Sequence, residues 1–135
     1  MASGTAQSGP RAKSTSGGAR PRILVAEDDA DCAYAVEVML GSAYDVYVAE
    51  SGRDLLADIE LQKPDLLVLD YQLPDINGLR LIEAARRKHG CETPAIAMSA
   101  YSMRRDACLR GGFSGFLHKP FGMLDLIFAV ERALR

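Results

Sequence analysis

Residues 22–135 predict an α/β fold: a doubly wound five-stranded parallel sheet, strand order 2-1-3-4-5, with helices on both faces. Two observations predict it. Short runs rich in Val, Ile and Leu alternate with longer segments of helical period, as in a chain of βα units. The short runs are nearly continuous in apolar residues rather than alternating, which suits strands covered on both faces. Right-handed crossovers between five such units favour that strand order, and they put the functional crevice at the carboxyl ends of strands 1 and 3, where the winding reverses.

The expected strands are Ile23–Glu27, Asp45–Ala49, Leu66–Asp70, Ala95–Ser99 and Gly115–His118. Between them, residues 31–40 put Ala33, Val36 and Leu40 on one helical face, and residues 53–61 do the same with Leu55, Leu56 and Ile59 behind Ser51 as N-cap. Residues 79–88 present Leu81, Ile82 and Ala85, and residues 124–134 present Leu124, Ile127, Phe128 and Leu134. A short, weaker helix is expected over residues 103–110, ended by Gly111-Gly112.

Ahead of these units, residues 1–21 are rich in Ser, Gly, Ala and Thr and lack a periodic apolar face, so they read as a disordered tail or linker. The whole chain of 135 residues, 48% hydrophobic, suffices for one core. The formal charge of −2 hides an asymmetry. Residues 1–21 hold Arg11, Lys13 and Arg20 and no acid, leaving 13 basic and 18 acidic residues in 22–135, a net of −5. That balance argues against nucleic-acid binding by a basic surface. With no apolar run of about 18 residues and no secretory leader, neither a membrane span nor export is expected, and the cytoplasm is the expected compartment. Cys32, Cys91 and Cys108 lack paired spacing and read as reduced thiols.

The chemistry gathers at one predicted sheet edge, where strand 1 ends in Glu27-Asp28-Asp29, strand 3 in Asp70, strand 4 in Ser99-Ala100 and strand 5 in Lys119-Pro120. Asp29 or Asp31 alone reads as a helix cap. Three carboxylates converging on one crevice repel one another strongly and call for a cation. Mg²⁺ suits such a site because it takes one or two carboxylates, keeps waters and accepts a phosphate oxygen; Mn²⁺ is the alternative. With Mg²⁺ and the Lys119 ammonium, the charges of Glu27, Asp28 and Asp70 sum to zero.

The segments Ile23-Leu-Val-Ala-Glu-Asp-Asp29, Leu67-Val-Leu-Asp-Tyr-Gln-Leu-Pro-Asp-Ile-Asn-Gly78, Met98-Ser-Ala100 and His118-Lys-Pro-Phe121 occur in order and at matching separations. Together they resemble the signature segments of response-regulator receiver domains, which have a flavodoxin-like fold and act in two-component and phosphorelay signalling. The resemblance spans about 114 residues and implies residue roles. Asp70 matches the phosphoacceptor. Glu27 and Asp28 match the acidic pair, Asp28 as direct Mg²⁺ ligand and Glu27 mostly through water, and the Gln72 backbone carbonyl matches the third protein ligand. Ser99 and Lys119 match the hydroxyl and the ammonium that meet the phosphoryl oxygens, and the Lys119-Pro120 bond is expected to be cis.

The same resemblance implies a switch in which Ser99 moves toward the phosphoryl group and Phe116 rotates into the space left; plain core packing is the competing reading of Phe116. Gln72 and Tyr101 occupy the positions that tune attack of water on the acyl phosphate. Neither is an acid, so slow self-dephosphorylation is expected. The implied partners are a histidine kinase or histidine phosphotransfer protein and a downstream protein met in trans or within a longer parent chain, such as a hybrid sensor kinase. The chain is not expected to be an enzyme in the turnover sense. An aspartyl-nucleophile phosphatase would want an acid where Gln72 stands, and a nucleotide- or flavin-binding domain would want a Gly-rich loop after strand 1. Asn77-Gly78 reads as a tight turn, His89 and His118 as structural or solvated, and Arg86-Arg87-Lys88 as a solvated helix end.

Overall fold

The computed structural model describes residues 19–89 and 92–135. Five strands, β1 (Arg22–Ala26), β2 (Asp45–Ala49), β3 (Leu66–Asp70), β4 (Ala95–Ser99) and β5 (Gly115–His118), alternate with helices α1 (Ala30–Leu40), α2 (Gly52–Gln62), α3 (Gly78–His89), α4 (Arg105–Arg110) and α5 (Met123–Leu134). The sheet is parallel throughout in the order β2-β1-β3-β4-β5. Topology and four of five strand spans agree with the sequence reading; the first strand starts one residue earlier and stops at Ala26, before Glu27.

Side chains alternate across the sheet and build two cores. Leu24, Leu67, Leu69 and Ala97 pack with Leu55, Ile59, Leu81, Ile82, Ala85 and Cys108 from α2, α3 and α4. Ile23, Val25, Leu66, Val68 and Met98 pack with Val36 and Leu40 of α1 and Leu126 and Val130 of α5. Both faces of β1, β3 and β4 are therefore sealed, which is why their sequences lack polar alternation.

Helix starts follow local chemistry. Asp29 Oδ1 accepts from the N–H groups of Asp31 and Cys32 at 2.9 and 3.3 Å, and Ser51 Oγ accepts from Asp54 N–H at 3.1 Å. The start of α2 has a second anchor, since Asp75 accepts the N–H groups of Gly52 and Arg53, both at 2.9 Å. A Cβ on Gly52 would stand 2.3 Å from the Ile76 side chain, so only glycine lets the loop after β3 close over α2. Asn77 caps α3 by accepting from Arg80 N–H at 2.9 Å, instead of forming a free-standing turn.

Two expectations are corrected. The predicted helix over residues 103–110 is a 3-10 turn, Ser102–Arg104, followed by the six-residue α4. In α5 the fully buried residues are Leu126 and Val130, with the expected Ile127 and Leu134 packed beside them, whereas Leu124 and Phe128 are 65% and 62% exposed. Asp125, Glu131 and Arg132 lie on the same exposed side as Leu124 and Phe128, so the helical period points to Leu126 and Val130 once the charged residues are weighed with the apolar ones.

The sequence boundary at Arg22 also leaves out real contacts. Arg20 donates to the carbonyls of Gly41 and Tyr44 and lies 3.5 Å from the Asp45 carboxylate, while Pro21 O accepts from Asp45 N–H at 2.9 Å. Residues 1–18 of the expected tail, Cys91 and the side chain of His89 lie outside the described residues. Among the described residues, no helix is long and apolar enough to cross a membrane.

Candidate functional site

Strand register brings the chemistry to one edge. Ala26 pairs with Leu69, Asp70 with Met98 and Ser99 with His118, so the residues at and just beyond the strand ends share a crevice. Glu27 continues β1, its N–H on Ala49 O at 3.0 Å, and is 1% exposed. Asp70, the last residue of β3, is buried, and Asp28 is exposed. One carboxylate oxygen from each of Glu27, Asp28 and Asp70 lies within 4.8 Å of the others.

Lys119 comes from just past β5, its backbone N–H held on Ser99 O at 2.8 Å and its bond to Pro120 cis. Its Nζ donates to Glu27 Oε1 at 2.6 Å and lies 3.4 Å from Asp70 Oδ1. Gln72 N–H reaches Asp70 Oδ1 at 3.3 Å, and Glu27 Oε2 accepts from Asp29 N–H at 3.1 Å. Ser99 is buried, and its Oγ accepts from Tyr101 N–H at 3.0 Å. A hydroxyl that accepts one bond still has its own proton to donate.

The electrostatics are those of an under-neutralised acid cluster. Burial, and then the Glu27 carboxylate, push the Asp70 carboxyl up to about 6 against the opposing pull of Lys119. Burial would raise Glu27 too, but hydrogen bonds from Lys119, Cys32 and Asp29 and the Lys119 charge hold it below its ordinary value. For Lys119, burial works against the charged form, and the two acids overcome it and raise its pKa. Three carboxylates beside one ammonium leave a deficit of two positive charges. Hard oxygen donors at this spacing, two of them buried, fit one divalent ion of the Mg²⁺ type.

The other expected site residues lie around this core. Phe116 is half-buried and packs against the α2–α3–α4 cluster, as a core aromatic would. Tyr101 is half exposed, near the guanidinium of Arg104. His118 is exposed at the end of β5, and its Nε2 lies 3.0 Å from Ala100 O. Sequence reasoning missed three neighbours. Cys32 borders the crevice, its thiol pushed up to about 12 by burial and by Glu27. Asp75 fastens the loop that carries Gln72 to α2. Arg104 stacks on two tyrosines that flank the site. A carboxylate within the loop after β3 and an arginine three residues past Tyr101 were visible as residues, but nothing in their spacing says what they touch.

Comparison with known proteins agrees with this geometry. Residues 23–131 match the family model of the response regulator receiver domain. The chain is 39% identical over 114 residues to an uncharacterized 14.6 kDa protein of Leptolyngbya boryana, covering 82% of this chain and 87% of that one. It is 32% identical over 119 residues to the DNA-binding response regulator MtrA of Mycobacterium tuberculosis, covering 86% of this chain but only 51% of MtrA. The chain thus spans about half the length of that regulator, and the expectation of no nucleic-acid partner does not extend to a longer parent of that kind. Among solved structures, the receiver domain of the sensor histidine kinase PA1611 of Pseudomonas aeruginosa superposes with a TM-score of 0.76 at 29% identity, covering 86% of this chain and 98% of that one. That structure has a magnesium ion coordinated in its active-site cleft. A sheet of the expected order, an acid crevice at its carboxyl edge and a family match over most of the chain lead to one conclusion: this chain belongs to the response regulator receiver domain family.

Proposed function

We propose that Asp70 accepts a phosphoryl group from a phosphohistidine in a Mg²⁺-dependent reaction, and that the modified domain changes its affinity for a protein partner. The observation that carries the reading is the Lys119 ammonium, 2.6 Å from Glu27 and 3.4 Å from Asp70 within a cluster of three acids. That pairing holds the cation where negative charge grows during transfer, while the high carboxyl pKa of Asp70 marks it as the acid least satisfied by its surroundings.

An Asp70 oxygen attacks phosphorus in line, and the P–N bond to the donor imidazole breaks with its electron pair leaving on nitrogen. Asp28, Asp70 and the Gln72 carbonyl would hold the ion, with Glu27 acting through water. Bound there, the ion would supply the missing positive charge and a Lewis-acid site for a phosphoryl oxygen. Once esterified, Asp70 exchanges its single charge for about −2 on the phosphoryl group, and Lys119 and the free Ser99 proton are the donors that answer it. A phosphoryl-bound Ser99 would bias Phe116 and the α4 segment between two arrangements.

The donor is a histidine kinase or histidine phosphotransfer protein, and we place the reaction in the cytoplasm. Residues 22–135 act as the folded module, read out in trans or within a longer parent chain. Their net charge of −5 argues that any nucleic-acid contact of such a parent belongs to a segment beyond them.

Incubating the chain with acetyl phosphate and Mg²⁺ should add one phosphoryl group by intact mass, and a chelator or Asp70→Asn should prevent it. Labelling that persists in Asp70→Asn would remove Asp70 from the role.

A further inference from the structure

Arg104, the last residue of the 3-10 turn, has no part in the chemistry proposed above. Its guanidinium carbon lies 4.0 Å from the centroid of the Tyr71 ring and 5.1 Å from that of Tyr101, both within cation–π range. Tyr71 directly follows Asp70, and Tyr101 stands two residues beyond Ser99. One cation therefore joins the two chain segments that leave the crevice at the ends of β3 and β4.

The two rings are not equally anchored. Tyr71 N–H donates to Met98 O at 2.8 Å, its carbonyl accepts from Gly78 N–H at 2.7 Å, and its ring packs against the core. A Cβ on Gly78 would stand 3.1 Å from Tyr71 Cα, so that backbone is closely hemmed in. Tyr101 is half exposed and heads a turn with no side-chain cap, and the six-residue α4 that follows buries only Cys108. Arg104 thus ties a lightly packed segment to a fixed one.

We propose that Arg104 is a positioning residue that keeps Tyr101 at the rim of the crevice by stacking on Tyr71 and Tyr101, and so slows hydrolysis of a phosphoryl group carried on Asp70. The inference rests on the reading of Asp70 as phosphoacceptor. In that hydrolysis a water oxygen bonds to phosphorus, the P–O bond to Asp70 breaks with its electron pair returning to the carboxylate, and inorganic phosphate leaves. The proton from water passes to solvent, because neither Gln72 nor Tyr101 offers a carboxylate to take it. Access of water is then the controllable step, and the ring held at the rim restricts it.

The test follows decay of the phosphorylated full-length chain by intact mass after acetyl phosphate is removed, in excess Mg²⁺. Arg104→Ala should shorten the half-life about fivefold, the effect of releasing two weak stacking contacts. Arg104→Lys, which keeps the charge without the planar stacking face, should fall between alanine and wild type. In a Tyr101→Ala background, Arg104→Ala should change the half-life by less than about twofold, because the two residues act as one unit. A labelled wild type with an Arg104→Ala half-life within about twofold of it, or an equal effect of that variant with and without Tyr101, would overturn this inference alone. Failure of the wild-type chain to be labelled would overturn the Asp70 reading and this inference with it.

Discussion

Asp70 sits in surroundings that favour its neutral form, and this has a sign that can be measured. Its folded pKa, raised to about 6, exceeds the unfolded carboxylate value of about 3.9, so the native metal-free protein binds more protons than the unfolded chain between those values. This group's contribution to stability is therefore fully present below about pH 4 and is lost as pH rises through about 6. Replacing the carboxylate by an amide removes the penalty. In chelator at pH 7.5, Asp70→Asn should be more stable than wild type by about 1–3 kcal/mol in urea unfolding, and the gain should shrink toward zero near pH 4. A gain that is absent at pH 7.5, or that grows on acidification, would contradict the account of this residue. The acids and the lysine were legible in the sequence because strand-end positions in a parallel sheet share an edge. The Arg104 stack was not, because it depends on where a 3-10 turn puts one side chain.

At the scale of single elements, the loop after β3 matters most, since it carries Gln72 and is fastened at its far end by Asp75. The Asp75 carboxylate is held below its ordinary value by the N–H groups of Gly52 and Arg53, the donors a helix start leaves without intrahelical partners. Asp75→Ala should destabilise the protein by about 1 kcal/mol at neutral pH, the usual worth of a helix cap, with the loss read as a lower urea midpoint at unchanged slope. The folded-state pKa is depressed, so this contribution is present above about pH 4 and fades as pH falls through the folded value. A variant as stable as wild type at neutral pH would show that Ser51 suffices alone. The Ser51 cap could be read from sequence because it lies beside its helix. Asp75 lies more than twenty positions from the helix start it caps, and only the folded chain brings them together. The buried face of α5 was legible but misassigned: Leu124 and Phe128 share their side of the helix with Asp125, Glu131 and Arg132, which leaves Leu126 and Val130 to face the sheet.

For the whole molecule, the sequence determined topology because every level agrees. Short apolar runs need two covered faces, the helical segments supply them, and right-handed crossovers leave few strand orders open. The two cores close on both sides of β1, β3 and β4, and that rigid sheet holds Glu27, Asp70, Ser99 and Lys119 in a common crevice while the crevice itself stays polar. The central claim is that this crevice, two positive charges short, binds a divalent ion and leaves one carboxylate to be esterified. Its most direct test is to label the chain with acetyl phosphate, trap the acyl phosphate by borohydride reduction and locate the altered residue by peptide mass spectrometry, with Mg²⁺ and with chelator. The account predicts reduction at Asp70 alone and only with the ion present; an altered residue elsewhere, or equal modification in chelator, would contradict it.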